Sequence, residues 1–437
     1  MGIDKVYPIY MMSRIKSQLN HFLNLHPNSA VMMATEPCWA VPIAWMGVYG
    51  PIYMRAAGLT ETLIGWVAFC TVLGQLAGVI MGGWLADHWG RKKTLMTFDF
   101  ICWFTPMGIW YAASYMSHPF PWFALGALIW GFGFIVAPAW YCIFTEGATS
   151  EQTHNAFALF WLIISSNGIF APLGGYFVSR MGMVHGYRLM LAISVVTVAI
   201  GWTGRLLKLK EPEPSSDTHE KTDSLDPGNI FHEHWKALQW MWKFPFCRIL
   251  LFSGLIHAFY AVMWANFAPL YWTDPRGLNL SESMVSLVPA IGSITTFLVI
   301  LAALPRCRKK NPVIVLLGAG ILITAGMSFL LGVPAGMMSI LLLYAVLYSA
   351  GIGMYGPVRD AQWLLSLTRS DYRAKILALV NFIGIVANLP AGPLGGMLYH
   401  SNPQYPFWCC LLLSGLNLFI LGGFFLWQNK FSSSSEK

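Results

Sequence analysis

Apolar runs of about 20 residues recur along the whole chain, and short polar stretches separate them. An α-helix rises about 1.5 Å per residue, so about 20 residues cross the ~30 Å hydrocarbon layer of a bilayer. The runs are continuous and lack the alternation of polar and apolar residues that is typical of a barrel strand. The pattern predicts twelve membrane-spanning helices near residues 31–54, 63–85, 94–115, 121–143, 156–178, 187–206, 247–270, 283–304, 312–331, 337–357, 375–398 and 407–428.

The composition excludes a soluble protein. Of the 437 residues, 56% are hydrophobic and only 11% are charged, whereas a soluble domain carries roughly 25% charged residues. The eight cysteines show no CxxC spacing, so we predict that they are packing residues and not disulfide partners or metal ligands. We expect neither a metal nor a cofactor.

The positive charges indicate how the chain is oriented. Lys and Arg number 27 against 19 Asp and Glu, which gives a net charge of +8. With both termini in the cytoplasm, only Arg55, Arg180, Arg188 and Arg276 fall outside, Arg359 lies at the end of a span, and the other basic residues fall inside. This asymmetry follows the positive-inside rule, and it explains the net charge without nucleic acid as a partner. It predicts a multi-pass protein of the plasma membrane with cytoplasmic termini.

One long polar stretch divides the chain into two sets of six spans. From Arg205 to Asn229, the sequence RLLKLKEPEPSSDTHEKTDSLDPGN is rich in Pro, Ser and charge, as a solvated linker is. The following IFHEHWKALQWMWK is predicted to be an amphipathic helix at the membrane interface. The predicted organisation is an N-terminal cytoplasmic segment, a six-helix bundle, a linker with the amphipathic helix, a second six-helix bundle and a cytoplasmic tail, at residues 1–30, 31–206, 207–246, 247–428 and 429–437.

The two halves also resemble each other in sequence. APLGG (Ala171–Gly175) near the fifth span matches GPLGG (Gly392–Gly396) near the eleventh, and GRKK (Gly90–Lys93) after the second span matches CRKK (Cys307–Lys310) after the eighth. Internal duplication at this period is typical of transporters built from two bundles.

The loop GGWLADHWGRKKTL (Gly82–Leu95) follows the second span. It resembles the signature loop of the major facilitator superfamily, whose form is G-x-L-A-D-x-x-G-R-K/R. The matching residues are Gly83, Leu85, Ala86, Asp87, Gly90, Arg91 and Lys92. The resemblance implies an all-α integral membrane protein with twelve helices in two six-helix bundles. Three other stretches, TEPCWAVP, FDFICWFTPMGIW and GPVRDAQWLLSLTRSDYRAKILAL, resemble a group of bacterial facilitators and supply no chemistry.

Four residues of this loop are gating candidates. Gly83 would let two helices approach closely, and Gly90 would permit a backbone turn that a Cβ forbids. Asp87 ends a helix, where it could pair with Arg91 or face the N-terminus of a neighbouring helix. The family resemblance implies that this loop holds the two bundles together in the outward-open state. The alternative is a basic loop that only orients the protein.

Ionisable residues inside spans are candidates for function, because each costs about 2.5–3.5 kcal/mol on insertion. Glu36, near the cytoplasmic end of the first span, is a candidate proton carrier. Alternatively it is a structural residue in a first helical turn, with Thr35 as N-cap and Pro37 tolerated there. In the seventh span His257, Tyr260 and Trp264 share a helix face. Imidazole suits proton transfer, but a buried histidine can equally be a hydrogen-bond partner between helices.

The tenth span carries a polar stripe. Tyr344, Tyr348, Tyr355 and Arg359 fall on one helix face, which predicts a wall of the central pathway that offers hydrogen bonds and cation–π contacts. The alternative is tyrosines in helix packing and an arginine anchored at the interface. Asp360 points about 100° away from Arg359 on an ideal helix, so we predict that the two do not pair.

The function predicted from these features is secondary active transport. No GxxxxGK[ST] loop occurs, so ATP hydrolysis does not drive the protein. We predict that a monomer moves a small organic solute by alternating access, coupled to protons, with efflux of amphiphilic compounds as the first choice. The alternative is an importer or uniporter of a small anionic metabolite or sugar. A membrane sensor or enzyme without transport is a remote alternative, since neither clustered catalytic residues nor a signalling domain is visible.

Overall fold

A computed structural model describes residues 24–212, 235–236, 238–307, 310–332, 337–366 and 373–435. The secondary structure in these ranges is helical, and no β-strand occurs within them. The first six membrane helices are α1 (Pro27–Thr35 and Pro37–Ala56), α2 (Glu61–Trp89), α3 (Arg91–Ala113), α4 (Phe120–Thr145), α5 (Ser150–Ser165, the 3-10 turn Asn167–Phe170 and the start of Ala171–Lys208) and α6 (the rest of Ala171–Lys208).

The second six helices follow the linker. They are α7 (Pro245–Thr273), α8 (Met284–Cys307), α9 (Pro312–Gly332), α10 (Met338–Ser366), α11 (Arg373–Asn388 and Ala391–Ser401) and α12 (Tyr405–Ser435). Of the predicted amphipathic helix, residues 235–236 and 238–242 are helical, and 230–234 and 237 lie outside the described residues.

Nine helices in the described ranges are long and apolar enough to cross a membrane. One of the nine, Ser150–Lys208, turns at Gly182, where φ is 75°, and therefore holds both α5 and α6. The nine helices therefore contain ten of the twelve spans. The other two spans are α1 and α3, which are not among the nine. Large apolar side chains such as Leu412, Phe419 and Ile200 are exposed on the outer faces, as expected where lipid replaces water. The all-α membrane fold predicted from the sequence is confirmed.

Glycines let α2 and α4 pack at backbone contact. A Cβ at Gly74, Gly78 or Gly82 would lie 2.2–2.6 Å from a carbonyl oxygen of α4, and a Cβ at Gly131 of α4 would lie 2.0 Å from a carbonyl of α2. Small residues at intervals of four form one helix face, which allows this approach in the absence of a hydrophobic driving force. The close approach predicted at Gly83 is wrong, since a Cβ there meets nothing within 4 Å. The contact lies one residue earlier, at Gly82.

The two bundles meet through a pair of symmetry-related contacts. The 3-10 turn of α5 packs on α8, where a Cβ at Gly168 would lie 2.3 Å from the carbonyl oxygen of Pro289. In the other half, α11 packs on α2, where a Cβ at Gly65 would lie 2.4 Å from the carbonyl oxygen of Gly392. Both contacts involve the segments that carry or adjoin APLGG and GPLGG. We call the end of the molecule that carries the α1–α2 and α7–α8 loops the outer end, after the orientation predicted from the sequence.

Candidate functional site

The signature loop joins α2 to α3 through a turn that needs glycine. Gly90 has φ of +88°, a conformation that side chains with a Cβ rarely adopt. The carboxylate of Glu211, at the start of the linker, accepts hydrogen bonds from the backbone N–H groups of Arg91 and Lys92 at 2.6 and 2.8 Å. Glu211 therefore caps the N-terminus of α3, where a negative charge is favourable. This cap was not predicted from the sequence.

The predicted pairing of Asp87 with Arg91 is not formed. The guanidinium of Arg91 makes an ion pair with Glu146, at the end of α4. Asp87 is exposed, and it makes no hydrogen bond or ion pair within the described part of the chain. The reason is geometric: Asp87 lies in the last turn of α2, and Gly90 turns the chain so that the Arg91 side chain reaches α4.

A buried ion cluster joins α1, α3 and α6. The guanidinium of Arg205 donates to Glu36 Oε2 at 2.5 Å, to Asp99 Oδ2 at 3.4 Å and to Thr35 Oγ1 at 3.0 Å. It also lies 3.8 Å from the ring centre of Trp39. The exposed fraction of the side chain is 3% for Arg205, 6% for Asp99 and 13% for Glu36. We call these five residues the Arg205 cluster.

The cluster changes the interpretation of Glu36. The sequence placed Thr35 as an N-cap, but α1 begins at Pro27, and Thr35 ends its first segment just before Glu36. Glu36 lies at the break between the two segments of α1 and is already paired with Arg205. Asp99 and Arg205 were missed, although Asp99 lies within the predicted third span, where a carboxylate is a signal for function.

The candidate residues of the seventh and tenth spans come together. His257 Nδ1 lies 2.6 Å from Tyr260 Oη, and its ring stacks on Tyr355 at 4.3 Å between centroids. Tyr355 Oη lies 2.5 Å from Ser253 Oγ and accepts a hydrogen bond from Asn417 at 3.5 Å. The His257 ring is thus held by a hydroxyl group of its own helix, α7, and by a stacked ring of α10.

A second group of rings continues this contact towards the outer end. Trp264 donates a hydrogen bond to Tyr344 Oη at 2.9 Å and stacks on Tyr348 at 5.2 Å between centroids. Trp264 and Tyr344 are buried, with exposed fractions of 4% and 3%. None of these rings lines the cavity described below. The geometry matches the alternative of helix packing.

Two predictions about Arg359 are wrong. The helix α10 continues to Ser366, so Arg359 lies within the helix and not at its end. Its Nε and Nη2 donate to Asp360 Oδ1 at 3.0 and 2.9 Å, although ideal helix geometry separates the two Cβ directions. The long side chain of arginine bends back across this separation.

A charged cluster joins the two bundles at the outer end. Arg55, at the end of α1, donates to Thr273 Oγ1 at 2.7 Å and to Asp274 Oδ2 at 3.3 Å, just after α7. Arg276 donates to Asp274 Oδ2 at 3.1 Å and reaches Glu61 of α2 at 3.5 Å.

The helix α11 adds two contacts to this group. Tyr399 of α11 donates to Asp274 Oδ2 at 3.1 Å, and Glu61 lies 3.7 Å from His400 of α11. We call Arg55, Glu61, Asp274, Arg276 and Tyr399 the Asp274 cluster.

The ionisation of Asp274 follows from these contacts. Burial opposes the charged form, but the hydrogen bonds and the charge of Arg276, together with the hydrogen bond from Tyr399, outweigh it and hold the pKa of Asp274 below its ordinary value. Conversely, Asp274 raises the pKa of Arg276. Asp274 is therefore an anion that belongs to one bundle and is held by a cation, Arg55, of the other.

A cavity of about 280 Å³ lies beside this cluster, between α1, α2, α3, α4, α6 and α7. Asn266 in its wall precedes Thr273 by seven residues, about 10 Å along α7. The lining residues are Met46, Gly47, Gly50, Pro51, Tyr53, Met54, Val67, Ala68, Thr71, Val72, Gln75, Trp110, Phe123, Ala127, Trp130, Tyr187, Val262, Ala265 and Asn266. All of these described lining residues are uncharged. A central cavity was predicted from the sequence, but none of the predicted site residues lies in this wall.

Few polar groups in the wall are available to a ligand. Tyr53 Oη donates to the carbonyl of Trp110, and Trp110 Nε1 donates to the carbonyl of Phe123. Asn266 uses its amide nitrogen on the Val262 carbonyl, which leaves its side-chain oxygen. Gln75 makes no hydrogen bond within the described residues, so its whole carboxamide is available. Gln75 and Asn266 are polar residues inside predicted spans, and this feature of the sequence could have identified them.

Twelve helices in two bundles, with a small cavity whose wall includes helices of both, define a membrane transport protein. The family model of the Major Facilitator Superfamily matches residues 40–387. The chain belongs to the major facilitator superfamily, as its signature loop implied.

Two curated relatives are transporters. The probable sulfoacetate transporter SauU of Cupriavidus necator is 24% identical over 255 residues, which cover 54% of each chain. The D-xylose transporter of Levilactobacillus brevis is 25% identical over 325 residues, which cover 67% of this chain and 69% of the relative. The chain thus matches only about half the length of the first relative.

Solved structures share the fold. The crystal structure of a D-xylose–proton symporter superposes with a TM-score of 0.68 at 18% identity, over 90% of this chain and 96% of that one. A POT family transporter in complex with 5-aminolevulinic acid gives a TM-score of 0.66 at 14% identity, over 93% and 97% of the two chains. At these identities the likeness shows the fold alone.

Proposed function

We propose that this protein is a secondary transporter that carries a small, uncharged, hydroxyl-bearing solute by alternating access. One observation carries the proposal: a cavity of about 280 Å³, walled by both bundles, lies behind a charged cluster that joins the bundles at the outer end. A site open to one side of the membrane and closed at the other is what alternating access requires. In this proposal the described state is the one closed at the outer end.

The cavity wall favours a neutral solute over an anionic or a cationic one. Its described side chains carry no charge, and its aromatic rings suit the apolar faces of a sugar-like ring. Gln75 and Asn266 offer amide groups that can bind hydroxyls. The D-xylose transporters among the similar proteins support this substrate class.

An organic anion is the second candidate. A relative is a probable sulfoacetate transporter, and Arg359 supplies a cation in α10. However, Arg359 already pairs with Asp360, so its charge is largely compensated. Efflux of amphiphilic compounds, the first choice from the sequence, has no support from the cavity, because its volume lies just below the roughly 300–1,000 Å³ that ligand pockets span.

We further propose that transport is driven by protons, that the protein works as a monomer in the plasma membrane, and that both termini are cytoplasmic. The proton–xylose symporter with the same fold supports the first point, and the distribution of basic residues supports the last. The known relatives are transporters, and we propose no enzymatic activity.

The test is uptake into proteoliposomes with labelled D-xylose and labelled sulfoacetate as separate probes. We expect saturable uptake of D-xylose, or of another neutral polyol identified by a thermal-shift screen, in which a ligand at 100 Kd stabilises by about 2.7 kcal/mol. Gln75→Ala and Asn266→Ala should both weaken uptake. The matched control is Leu73→Ala on the exposed face of α2, which should transport normally.

Uptake of sulfoacetate alone would overturn the choice of a neutral solute. The absence of both uptake and ligand-induced stabilisation across the screen would overturn the proposed function. Wild-type uptake in the Gln75 and Asn266 variants would remove the cavity from the substrate pathway.

A further inference from the structure

The Arg205 cluster is unbalanced in charge. Two carboxylates, Glu36 and Asp99, face one guanidinium. Among the described residues, Arg205 is the only cation paired with either of them. In the described part of the chain, the other titratable groups linked electrostatically to the cluster are two thiols, Cys38 on α1 and Cys102 on α3, which are neutral when protonated. With both carboxylates ionised, the cluster therefore carries a net charge of −1 inside the N-terminal bundle.

An uncompensated charge in this position is costly. All three ionisable side chains are at least 87% buried, and a buried charge without a partner loses far more hydration energy than a neutral group does. A single proton on one carboxylate restores neutrality. The cluster can thus exist in two charge states that differ by one proton.

The geometry distinguishes the two carboxylates. Glu36 lies 2.5 Å from the guanidinium, whereas Asp99 lies 3.4 Å from it and is more deeply buried. The closer carboxylate gains more from the positive charge, so Asp99 is the group left to take the proton. Glu36 is the more exposed of the two and lies at the break in α1, where it can pass a proton between water and Asp99.

We propose that the Arg205 cluster is the proton-binding site of this transporter, with Asp99 as the proton acceptor, Glu36 as its link to water and Arg205 as the fixed counter-ion. On binding, a proton from water joins an Asp99 carboxylate oxygen, and on release it returns to water through Glu36. Proton binding is a property of the cluster itself. Its use in driving uptake rests on the proposed function.

Proton binding can be tested without a substrate. Infrared difference spectra of purified protein, recorded across a pH titration, should show a protonated-carboxyl stretching band that is lost in Asp99→Asn. In a potentiometric titration that variant should bind one proton fewer per chain near neutral pH, where exposed carboxyl groups are already ionised. It is expected to fold because the Glu36–Arg205 pair that remains is neutral. The matched control is Asp87→Asn, since Asp87 is exposed and should keep the band.

A structural role alone predicts a different result. If the cluster only holds α1, α3 and α6 together, Asp99→Asn changes thermal stability but leaves both the carboxyl band and the number of protons bound near neutral pH unchanged; that result would overturn the proposal. A band that persists in both Asp99→Asn and Glu36→Gln would place the proton elsewhere and would overturn it as well. Arg205→Lys keeps the counter-charge and should keep the band, which separates charge from packing.

Coupling is tested in proteoliposomes with D-xylose as the probe. Asp99→Asn should abolish accumulation driven by a pH gradient and retain counterflow exchange, which needs no net proton movement. Gradient-driven accumulation in this variant would overturn the coupling role. If the wild-type protein moves neither probe, the proposed function fails, while the infrared result still decides whether the cluster binds a proton.

Discussion

The Arg55–Asp274 bridge should set how strongly the outer end is held closed. Asp274 Oδ2 accepts from Arg55, Arg276 and Tyr399, but Arg276 and Tyr399 belong to the same bundle as Asp274. Their contacts can persist when the bundles separate, so they do not bias the equilibrium between closed and open states. Among the charged contacts described at the outer end, those of Arg55 with Asp274 and Thr273, and the weaker ones of Glu61 with Arg276 and His400, link the two bundles.

The magnitude follows from burial. Asp274 has 4% of its side chain exposed and Arg55 has 25%, so their charged hydrogen bond contributes about 2 kcal/mol, within the 1.5–3 kcal/mol range for such bonds. That energy corresponds to about a 30-fold shift of the equilibrium towards an open outer end. By contrast, Arg276 is 54% exposed and lies 3.5 Å from Glu61, so Arg276→Gln should shift the equilibrium by less than about 1 kcal/mol.

The assay is electron–electron distance measurement between spin labels on Ser117 and Ser281, which are exposed in outer loops of the two bundles. The eight native cysteines, all unpaired, are first replaced. Asp274→Asn and Arg55→Gln should each add a longer distance to the distribution, and the double variant should show no further change because both remove one bridge. Folded variants with an unchanged distribution would refute the reasoning.

The response of this bridge to pH has a definite sign. Burial raises the pKa of Asp274, but the contacts with Arg276 and Tyr399 outweigh it, and the pKa lies below its ordinary value, which is about 3.9. Because Arg276 and Tyr399 stay with Asp274 when the bundles separate, its pKa lies below the ordinary value in both states, and the bridge to Arg55 is lost only as pH falls below that value. The distance distribution should therefore stay constant from neutral pH down to about pH 5. Opening above that pH would contradict this assignment.

Three further predictions concern the signature loop and the helices beside it. Gly78→Val should lower the thermal unfolding temperature strongly, since a Cβ there would lie 2.6 Å from a carbonyl of α4 and overpacking costs about 1–3 kcal/mol. The control is Gly83→Ala, which lies in open space and should leave the unfolding temperature unchanged. If both substitutions lower the unfolding temperature equally, α2 is rotated relative to the described packing. Glu211→Gln should lower the unfolding temperature slightly by weakening the α3 cap, and a rise would exclude the cap. Asp87→Asn should leave the unfolding temperature unchanged and reduce uptake; normal uptake would remove Asp87 from gating.

The fold was predictable because membrane insertion constrains the sequence strongly. Each predicted span coincides with a helix, and the largest error lies at α10, which continues from 357 to Ser366. A polar segment at the end of a helix is not constrained by lipid, so hydropathy alone ends the predicted span too early. The backbone turn at Gly90 was also predicted correctly, because a glycine in a short turn after a helix signals a positive φ; its role in gating stays a prediction.

The site was only partly predictable, because side-chain pairing depends on which helix faces which. The faces with His257 on α7 and Tyr355 on α10 were each identified, but their contact with each other was not. Glu36 was selected as an ionisable residue, whereas its partner Arg205 was assigned to the polar linker, where a cation is ordinary. Asp274 and Arg55 lie in loops or at helix ends, where the cost of charge is low and gives no signal.

The contacts of α2 and α5 with the opposite bundle have a consequence for synthesis in the cell. The glycine face around Gly65 finds its partner, Gly392, only when α11 has been inserted, and the turn at Gly168 must wait for α8. Until then the nascent first half exposes grooves shaped for backbone and not for lipid tails. Such late, distant pairings slow folding and leave surfaces open to misassembly. A truncated first half would therefore insert into the membrane but would not form an independent domain. It would remain incompletely packed and would be a target for quality control.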